Sequence, residues 1–327
     1  MKIMNILLKI MIFVSFIFLA LFITVWMLLG PAGPSRQIEI FIVPQNKKDF
    51  DVVEALKEQN FIKNADAFQF LLDTFSEDKE IESGGYRLAK KMNAWQVLTK
   101  ITNKQDLFWL TIYFCPRKEQ VGEKLADVLG WSIEKINNWN DLYTDNNPEY
   151  FEGVYYPDTY LLPADETAAQ IAQRLIDRFN ENFAPLADEF LAQNIKWTTG
   201  LKIASLIARE AAGSEDMELI SGIIWNRLNK NMRLQIDATM QYTLGKNING
   251  GWWGKINLAE KQSDSPYNSY LHEGLPPTPI CSPGIDAIKA VLNPEKTDCL
   301  YYLHDSSKQI HCAETYKEHE ANIKKYL

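Results

Sequence analysis

A carboxylate at the end of an apolar helix stripe is the strongest chemical signal in this sequence. Ile203, Leu206, Ile207 and Glu210 fall at positions i, i+3, i+4 and i+7, which places them on one face of a helix. Three of these side chains are apolar, so the fourth is expected in a poorly solvated place. Burial raises the pKa of a carboxylic acid, as a proton donor working near neutral pH requires. The spacing therefore makes Glu210 a candidate general acid.

A site that cleaves a glycosidic bond needs a proton donor. It also needs either a second carboxylate or a substrate group that takes its place. Glu210 is the best donor candidate by position. The competing interpretation is a helix-end carboxylate paired with Arg209 or Arg227, and the pattern alone slightly favours it. Polar side chains suited to a polar ligand follow along the chain: Asn226, Arg227, Arg233, Gln235, Asp237 and Thr239. Surface or turn positions explain each of them equally simply, and Asp237 also suits a helix cap.

Helices and shaped loops must position these groups. Gly213 is expected to end the helix that carries Glu210, and Ser214 to cap the next one. Asp165 is the expected cap of an earlier helix that runs to Phe183. Further on, two turn-rich segments contain prolines and aromatic residues: SPYNSY at 265–270 and GLPPTPI at 274–280. Prolines fix φ and give a loop a defined shape, and such loops often line functional sites.

The N-terminal third predicts a small α+β module. IEIFIV at 38–43 and LFWLTIYFC at 107–115 are strand-like runs, and a turn at 82–88 leads into another short strand. Helical spacing lies between them, most clearly over residues 65–75. The order strand–helix–helix–strand is typical of small modules that pack helices on one face of a two- or three-stranded sheet. Binding modules and plain spacers share this pattern.

An uncharged apolar run at residues 10–29 predicts a membrane anchor. At about 1.5 Å per residue, about twenty residues span a bilayer core of about 30 Å. Lys2 and Lys9 precede the run, so the N-terminus is expected in the cytoplasm, and Trp26 suits the outer interface. A cleaved signal peptide is the rival interpretation. It is less favoured because its apolar region would be shorter and would end in a small-x-small site.

These signals divide the chain into consecutive parts. They are a cytoplasmic tail (1–9), a transmembrane helix (10–29), a linker (30–37), a small module (38–130) and a second domain (131–327). Everything from about Ile38 onward is expected outside the cytoplasmic membrane. The composition is 46% hydrophobic, which can build real cores. A net charge of −8 without a basic run argues against a nucleic-acid partner.

Cysteines and histidines leave alternatives open. Cys299 and Cys312 form the nearest pair among four cysteines, but free buried thiols are at least as well supported by the spacing. His304, His311 and His319 with these cysteines invite a zinc hypothesis. Neither CxxC nor HExxH occurs, so the sequence predicts no metal site. GxSxG, a P-loop and a dinucleotide fingerprint are missing too, so no cofactor is predicted.

Long motifs in a fixed order resemble a known family. IASLIAREA, IIWNRLNKNMRLQIDATMQYTLG and SDSPYNSYLHEGLPPTPICSPGIDAIKAVLNP are similar to the bacterial endolytic murein transglycosylases of the YceG-like type. EGVYYPDTYLL and YYLHDSSKQIHCAETYKEHEANI match as well. The resemblance covers about residues 38–327 plus the anchor. It implies a LysM-like N-terminal module followed by a YceG-like catalytic domain.

The resemblance implies a single-pass inner-membrane enzyme that cuts nascent peptidoglycan strands internally, with peptidoglycan synthases as partners and glycan-strand termination as a role. The family's catalytic glutamate falls on Glu210. Ala208 stands where the family often has a second glutamate, so Glu210 is the only carboxylate in its motif. The implied reaction leaves 1,6-anhydromuramoyl ends and uses Glu210 first as acid and then as base. Substrate-binding or positioning roles are expected for Asn226, Asp237, Ser265, Tyr267, Asn268 and Tyr270.

Two other function classes compete with this hypothesis. A non-catalytic glycan-binding or scaffolding protein of the wall-synthesis machinery would keep the motifs but would not need Glu210. A metal-dependent hydrolase would use His304, His311 and His319 instead. Cleavage assays with a Glu210 variant separate the first class from an enzyme, and chelation separates the second.

Overall fold

A computed structural model describes residues 2–48, 50–76, 80–143 and 152–327, with side chains from Ile6 onward. Its contacts group the chain into two compact units. The first comprises Met1–Leu110 with Tyr160–Glu166, and the second comprises Thr111–Thr159 with Thr167–Leu327. The architecture is mixed α+β, as the sequence predicts. The predicted domains 38–130 and 131–327, as units that fold independently, stay a prediction.

The first unit begins with a long apolar helix, α1 (Lys2–Leu29). Its segment Ile6–Leu29 has a mean hydropathy of 2.9 and is exposed along its length, so it is long and apolar enough to cross a membrane. The helix starts before the predicted residue 10 because the residues around Lys9 also favour helix. Trp26 lies near its end, and the Lys63 ammonium donates to the Trp26 carbonyl at 3.2 Å.

A four-stranded sheet follows in the described residues, in the order β1-β2-β3-β4. The strands are β1 (Glu39–Val43), β2 (Gly84–Leu88), β3 (Leu107–Thr111) and β4 (Thr159–Pro163). β1 pairs antiparallel with β2, with Phe41 opposite Tyr86. The predicted two- or three-stranded sheet is therefore too small. The sequence did not predict β4, because only two of its side chains, Tyr160 and Leu162, alternate toward the core. The Pro-Asp pair just before the strand also favours a turn.

Three helices pack with this sheet: α2 (Val52–Glu58), α3 (Ala65–Phe75) and α4 (Ala94–Ile101). The order strand–helix–helix–strand and the bounds of α3 are as predicted. Phe41, Phe68 and Tyr86 are fully buried at the centre of the shared core. Full burial of each such side chain contributes about 2–3 kcal/mol. A LysM-like identity for this module stays a prediction.

The second unit is mainly helical around a central helix. Its helices are α5 (Lys118–Leu129), α6 (Ile133–Tyr143), α7 (Ala168–Phe183), α8 (Ala187–Ala192), α9 (Trp197–Glu210), α10 (Met217–Asn229), α11 (Asp237–Leu244), α12 (Ile285–Leu292) and α13 (Tyr316–Tyr326). α9 packs against α8, α10, α11 and α12. Gly200 allows the close approach to α8, since a Cβ there would lie 2.2 Å from a ring carbon of Phe190. The helix that ends in Glu210 is thus held by four neighbouring helices.

A hairpin and two disulfides complete the second unit. β5 (Tyr301–His304) pairs antiparallel with β6 (Ile310–Ala313), so that Tyr302 faces Cys312. Cys299 is bonded to Cys312 across the base of this hairpin, and Cys115 is bonded to Cys281. The sequence favoured free thiols at least as strongly, because spacing alone does not show which cysteines the fold brings together.

Several predicted helix ends differ in the structure. Asp165 does not cap α7, because its carboxylate forms a two-point ion pair with Arg87. Thr167 is the cap instead, in a reciprocal pair of hydrogen bonds with Gln170. α9 ends at Glu210 rather than near Gly213, and Asp216 rather than Ser214 precedes α10. These shifts leave Glu210 at a helix terminus, next to a short loop.

Candidate active site

Glu210 is the last residue of α9, at the end of a buried stripe. Ile203, Leu206 and Ile207 are fully buried, which confirms the predicted apolar face. The helix stops there because Ala211 takes an extended backbone conformation. Glu210 itself keeps partial solvent access. The negative end of the α9 dipole also disfavours an ionised carboxylate at this position.

Tyr302 is the direct partner of Glu210. Its hydroxyl donates to Oε2 of Glu210 at 2.7 Å, which leaves Oε1 as the atom that can carry an acidic proton. Burial and then the Glu210 charge raise the pKa of Tyr302 well above its ordinary value. The phenol is therefore a permanent donor that holds the carboxyl group in one orientation.

His304 anchors the same strand to the loop behind Glu210. Residues two apart on a strand share a face, so His304 lies beside Tyr302, with ring centroids 6.2 Å apart. Nε2 of His304 donates to Oδ2 of Asp216 at 2.6 Å. Asp216 also accepts from the backbone amides of Ala212 and Gly213, at 3.0 and 3.3 Å. One aspartate thereby joins the end of α9 to β5.

Burial is the main cause of the raised pKa of Glu210. The Tyr302 hydrogen bond opposes that rise, because it favours the carboxylate. Asp237 raises the pKa further through its negative charge, whereas His304 and Arg209 lower it. Burial prevails, so Glu210 holds its proton to higher pH than an ordinary glutamate. It therefore has the properties of a general acid.

Asp237 lies close enough to Glu210 for its charge to act on that carboxyl group. It is the first residue of α11, and Ile236 rather than Asp237 occupies the cap position. Oδ1 accepts from the Tyr270 hydroxyl and lies 2.9 Å from the Lys261 ammonium. Lys261 also donates to the Tyr270 hydroxyl at 2.8 Å. Asp237 and Tyr270, both predicted as site residues, are thus brought together with a cation that the sequence did not single out.

The other predicted binding residues mainly shape loops. Asn268 is fully buried and donates to the carbonyls of Lys261 and Ser263, at 3.0 and 2.7 Å. Asn226 donates to two other carbonyls, those of Thr297 and Cys299, at 2.7 and 3.2 Å. The side-chain NH2 groups of both residues donate to backbone carbonyls. For these two residues, a direct contact with substrate stays a prediction.

Ser265 and Tyr267 belong to the same loop as Asn268. Ser265 Oγ accepts from the Tyr267 amide at 3.3 Å, within a turn. The Tyr267 hydroxyl shares a hydrogen bond of 2.8 Å with Thr278 Oγ1 and therefore joins the two proline-rich segments. The Tyr267 ring packs against Tyr242 with centroids 5.0 Å apart. Their binding roles also stay predictions.

Comparisons with known proteins agree with these motifs. A family model described as the YceG-like family matches residues 41–325. The chain belongs to the YceG-like family. It is similar to a protein of Bacillus subtilis (strain 168) named endolytic murein transglycosylase, with 28% identity over 323 residues that cover 92% of this chain and 88% of that protein.

Two further comparisons support the family. A Streptococcus pneumoniae serotype 2 (strain D39 / NCTC 7466) protein, also named endolytic murein transglycosylase, is 32% identical over 190 residues. These cover 56% of this chain and 34% of that protein. The crystal structure of a yceG-like protein from Listeria monocytogenes matches with a TM-score of 0.57 and 26% identity. It covers 87% of this chain and 99% of the Listeria chain.

Two positioning residues of this YceG-like chain have roles that the sequence did not predict: Tyr302 was not singled out, and Arg227 was named only as a possible ion-pair partner of Glu210 or a ligand-binding residue. Tyr302 was seen only as part of a strand, although its place two residues before His304 puts both on one face. Arg227 is buried and donates from Nε to the Leu300 carbonyl at 2.6 Å, just before β5 begins. It also donates to the Leu234 carbonyl, ahead of α11. It fixes the backbone on both sides of Glu210 and does not pair with that carboxylate.

The histidines are held by separate partners. His311 donates to Asp305 at 2.8 Å and stacks on Tyr326, while His319 stacks on Tyr301. Within the described parts of the chain, no three His, Cys, Asp or Glu side chains converge as a metal site requires. The described residues therefore contain no cluster of metal ligands that would support the metal-hydrolase hypothesis.

Proposed function

We propose that this YceG-like protein is an endolytic murein lytic transglycosylase and that Glu210 is its catalytic acid and base. The observation that carries the proposal is the partly accessible Glu210 carboxyl group with a raised pKa and one oxygen occupied by Tyr302. The names of the Bacillus and Streptococcus relatives support the substrate class. One tuned carboxyl group is enough when the substrate supplies the closing hydroxyl.

The proposed reaction balances without water. Glu210 gives its proton, from Oε1, to the oxygen that links C1 of N-acetylmuramic acid (MurNAc) to N-acetylglucosamine (GlcNAc), and the C1–O bond breaks. The C6 hydroxyl of the same MurNAc closes on C1 and loses its proton to the Glu210 carboxylate. The products are a 1,6-anhydro end and a GlcNAc end with a free hydroxyl. Glu210 is protonated again and ready for another turnover.

Neighbouring groups have distinct parts in this reaction. Tyr302 donates to Oε2 throughout and stabilises the carboxylate that exists between the two proton transfers. The half-exposed Asp237 has its negative charge near Glu210, where it would favour positive charge developing at C1. Ser265, Tyr267 and Tyr270 are proposed to line the sugar-binding wall, and Asn226 and Asn268 to hold its shape.

Topology and biological role belong to the same proposal. The apolar helix Ile6–Leu29 would anchor the protein in the cytoplasmic membrane, with Lys2 and Lys9 inside and the catalytic unit outside. The module over residues 38–130 is proposed to be LysM-like. Cleavage of nascent strands next to peptidoglycan synthases would end their elongation. Disulfides such as Cys299–Cys312 suit an oxidising compartment outside the cytoplasm.

Cleavage of purified, uncrosslinked murein strands by the protein and by Glu210→Gln tests the proposal. The parent protein is expected to shorten the strands internally, and the variant to leave them intact while keeping its fold by circular dichroism. A non-catalytic scaffold would leave strands intact in both cases. Equal cleavage by both proteins would remove Glu210 from the mechanism.

A further inference from the structure

A small, mostly apolar cavity lies between the end of α1 and the module that follows it. It has a volume of about 260 Å³. One wall belongs to the end of α1 and the other to α3 and the start of α4. The lining residues are Phe22, Val25, Trp26, Leu29 and Gly30 on the first wall, and Leu71, Asn93 and Trp95 on the second. All of them belong to the first unit, so the cavity joins the proposed membrane span directly to the module.

Hydrogen bonds fix the chain where α1 ends. Leu29 packs against the core of the module. The Gly33 amide donates to the Lys90 carbonyl at 2.9 Å, and the Lys91 amide donates to the Ser35 carbonyl at 2.8 Å. The segment predicted as a linker is therefore bonded to the module. Because of these bonds, the last turns of α1 keep one position beside α3 and α4.

The depth of the first wall in the membrane sets the depth of the second. Phe22 lies seven residues before Leu29, which is about 10 Å along the helix axis. When α1 spans the bilayer with Trp26 at the outer interface, this stretch lies in the outer leaflet. A ring that shares a cavity with this stretch lies at a similar depth. Trp95 is therefore placed at the boundary between headgroups and acyl chains.

Exposed aromatic rings give the second wall a composition that suits this depth. Trp95 and Phe75 are 51% and 56% exposed, and their rings meet edge to face with centroids 5.0 Å apart. Phe70, next to Leu71 of the cavity, is 66% exposed. Rings of this size lose free energy in water and gain it at the membrane interface, where aromatic side chains concentrate.

Charged groups define how far the module can enter the bilayer. The Lys63 ammonium lies 5.9 Å from the centroid of the Trp26 ring and donates to the Trp26 carbonyl. A cation at this position can reach the lipid phosphates. Asp66 and Asp73 on α3 are exposed as well. Carboxylates are tolerated among headgroups but not in the hydrocarbon core, so the module is expected to stop at the headgroup layer.

We propose that the rings of Phe70, Phe75 and Trp95 form a docking face that enters the outer surface of the phospholipid bilayer. A lipid acyl chain would occupy the cavity beside Trp26. The inference rests on the membrane anchor of the proposed function and adds a second membrane contact to it. Two contacts fix the height and the tilt of the module above the bilayer, whereas a single helix on a free linker fixes neither.

Fluorescent labels on the full-length protein in nanodiscs test the depth of the docking face. The discs consist of phosphatidylethanolamine and phosphatidylglycerol, with some lipids that carry a nitroxide near the top or near the end of an acyl chain. Single added cysteines carry nitrobenzoxadiazole at Ile17→Cys in the span, at Phe75→Cys in the docking face, or at Asn103→Cys. Asn103 is exposed and lies beyond the end of α4 that is farther from the cavity.

The label at Phe75 is expected to be quenched by the shallow nitroxide. It should also react with aqueous dithionite at least about tenfold more slowly than the label at Asn103, as expected for an apolar ring that leaves water. Equal reaction rates at the two positions, with no quenching at Phe75, would overturn the proposal.

Variants of the protein labelled at Phe75 show whether the aromatic rings cause the protection. Trp95→Ser with Phe70→Ser should raise the dithionite rate at least about tenfold, because two apolar rings no longer hold the face in the bilayer. Ile133→Ser with Leu191→Ser removes two exposed apolar side chains from the second unit and should change nothing. Protection that survives the loss of both rings would mean that α1 alone holds the label there.

The label in the span separates this inference from the proposed function. Quenching at Ile17 by the deep nitroxide without protection at Phe75 would keep the anchor and overturn the docking face. An unquenched label at Ile17 would remove the anchor and the docking face together. Murein cleavage is measured in a separate assay, so a protein that docks but cuts no strands would keep the docking face and lose the reaction.

Discussion

Two glutamate–tyrosine pairs in the second unit have similar chemistry and different access. Glu210 accepts from Tyr302 at 2.7 Å, and Glu152 accepts from Tyr242 at 3.1 Å. Burial is the main cause of a raised pKa in both carboxyl groups, and that of Glu152 rises to about 7. Glu210 keeps partial solvent access, whereas Glu152 is buried and its Oε1 has no hydrogen-bond partner among the residues that the structure describes.

The contrast shows that a raised pKa alone does not identify a catalytic acid. Glu152 lies among Glu119, Lys118 and Arg117, and the Arg117 guanidinium is itself buried. A sugar cannot reach a carboxyl group enclosed in this way. Glu152 therefore links Tyr242 of α11 to the rest of the unit, while Glu210 is proposed to perform proton transfer. Substitutions in the two pairs should separate these roles.

The largest expected difference concerns activity. Glu210→Gln removes the transferable proton and should lower the cleavage rate about a thousandfold, within the range for loss of a general acid. Glu152→Gln keeps an acceptor for Tyr242 and should retain the rate within about threefold. Initial rates on purified murein strands measure both. A loss in Glu152→Gln as large as that in Glu210→Gln would erase the distinction between the pairs.

The pH dependence of the free energy of unfolding should show the opposite order, with the larger effect in Glu152→Gln. A carboxyl group with a raised pKa in the folded state contributes stability below its unfolded pKa, and that contribution is lost as pH rises through the folded value. For Glu152 this stability is lost between about pH 4.5, its ordinary pKa, and about pH 7, its pKa in the folded protein. Glu152→Gln should therefore be more stable than the parent by roughly 3 kcal/mol at pH 8 and equal to it at pH 4. Urea unfolding in detergent at the two pH values measures this, and a gap that does not change with pH would contradict it.

The hairpin that carries Tyr302 depends on a disulfide, whereas Tyr242 lies on a helix. Replacing Cys299 and Cys312 together by Ser opens a loop with a sequence separation of 13. Loss of that closure should lower the free energy of unfolding by about 3 kcal/mol. The rate should also fall, because Tyr302 faces Cys312 across the hairpin. Unchanged stability together with unchanged cleavage would show that the hairpin keeps its structure without the disulfide.

The smallest effects should come from the tyrosines. Tyr302→Phe frees Oε2 of Glu210 and should lower the rate about tenfold, as expected for one lost hydrogen bond. It should also move the alkaline limit of activity to higher pH, because that hydrogen bond lowers the pKa of Glu210. Tyr242→Phe should leave the rate and its pH profile as they are. A shift of the limit to lower pH in Tyr302→Phe would mean that Tyr302 stabilises the acid form.

Local periodicity was enough to predict some elements in each unit. The bounds of α3 and the buried stripe before Glu210 follow from spacing, because each packs one continuous apolar face. Asp165 was misassigned as a cap because its partner Arg87 is 78 residues away in sequence. The strand-like run at 107–115 was read too long, since nothing local shows that Cys115 turns the chain.

The sequence could not predict those parts of the candidate site that depend on partners distant in the chain. Tyr302 lies 92 residues after Glu210, and no spacing rule connects them until β5 is placed. Glu152 was not singled out from the sequence, because its burial depends on neighbours from α5 and α11 that are distant in the chain. Asp237 and Tyr270, for which the family resemblance implies site roles, do meet, whereas Lys261, which contacts both, was not singled out from the sequence.

Mass spectrometry of the products tests the central claim most directly. Purified uncrosslinked strands are treated with the parent protein, with Glu152→Gln and with Glu210→Gln, and the new muramoyl ends are weighed. The account predicts 1,6-anhydro ends without added water from the first two proteins, and none from Glu210→Gln. New ends that carry the mass of one water would make the protein a hydrolase, and anhydro ends from Glu210→Gln would show that another group supplies the proton.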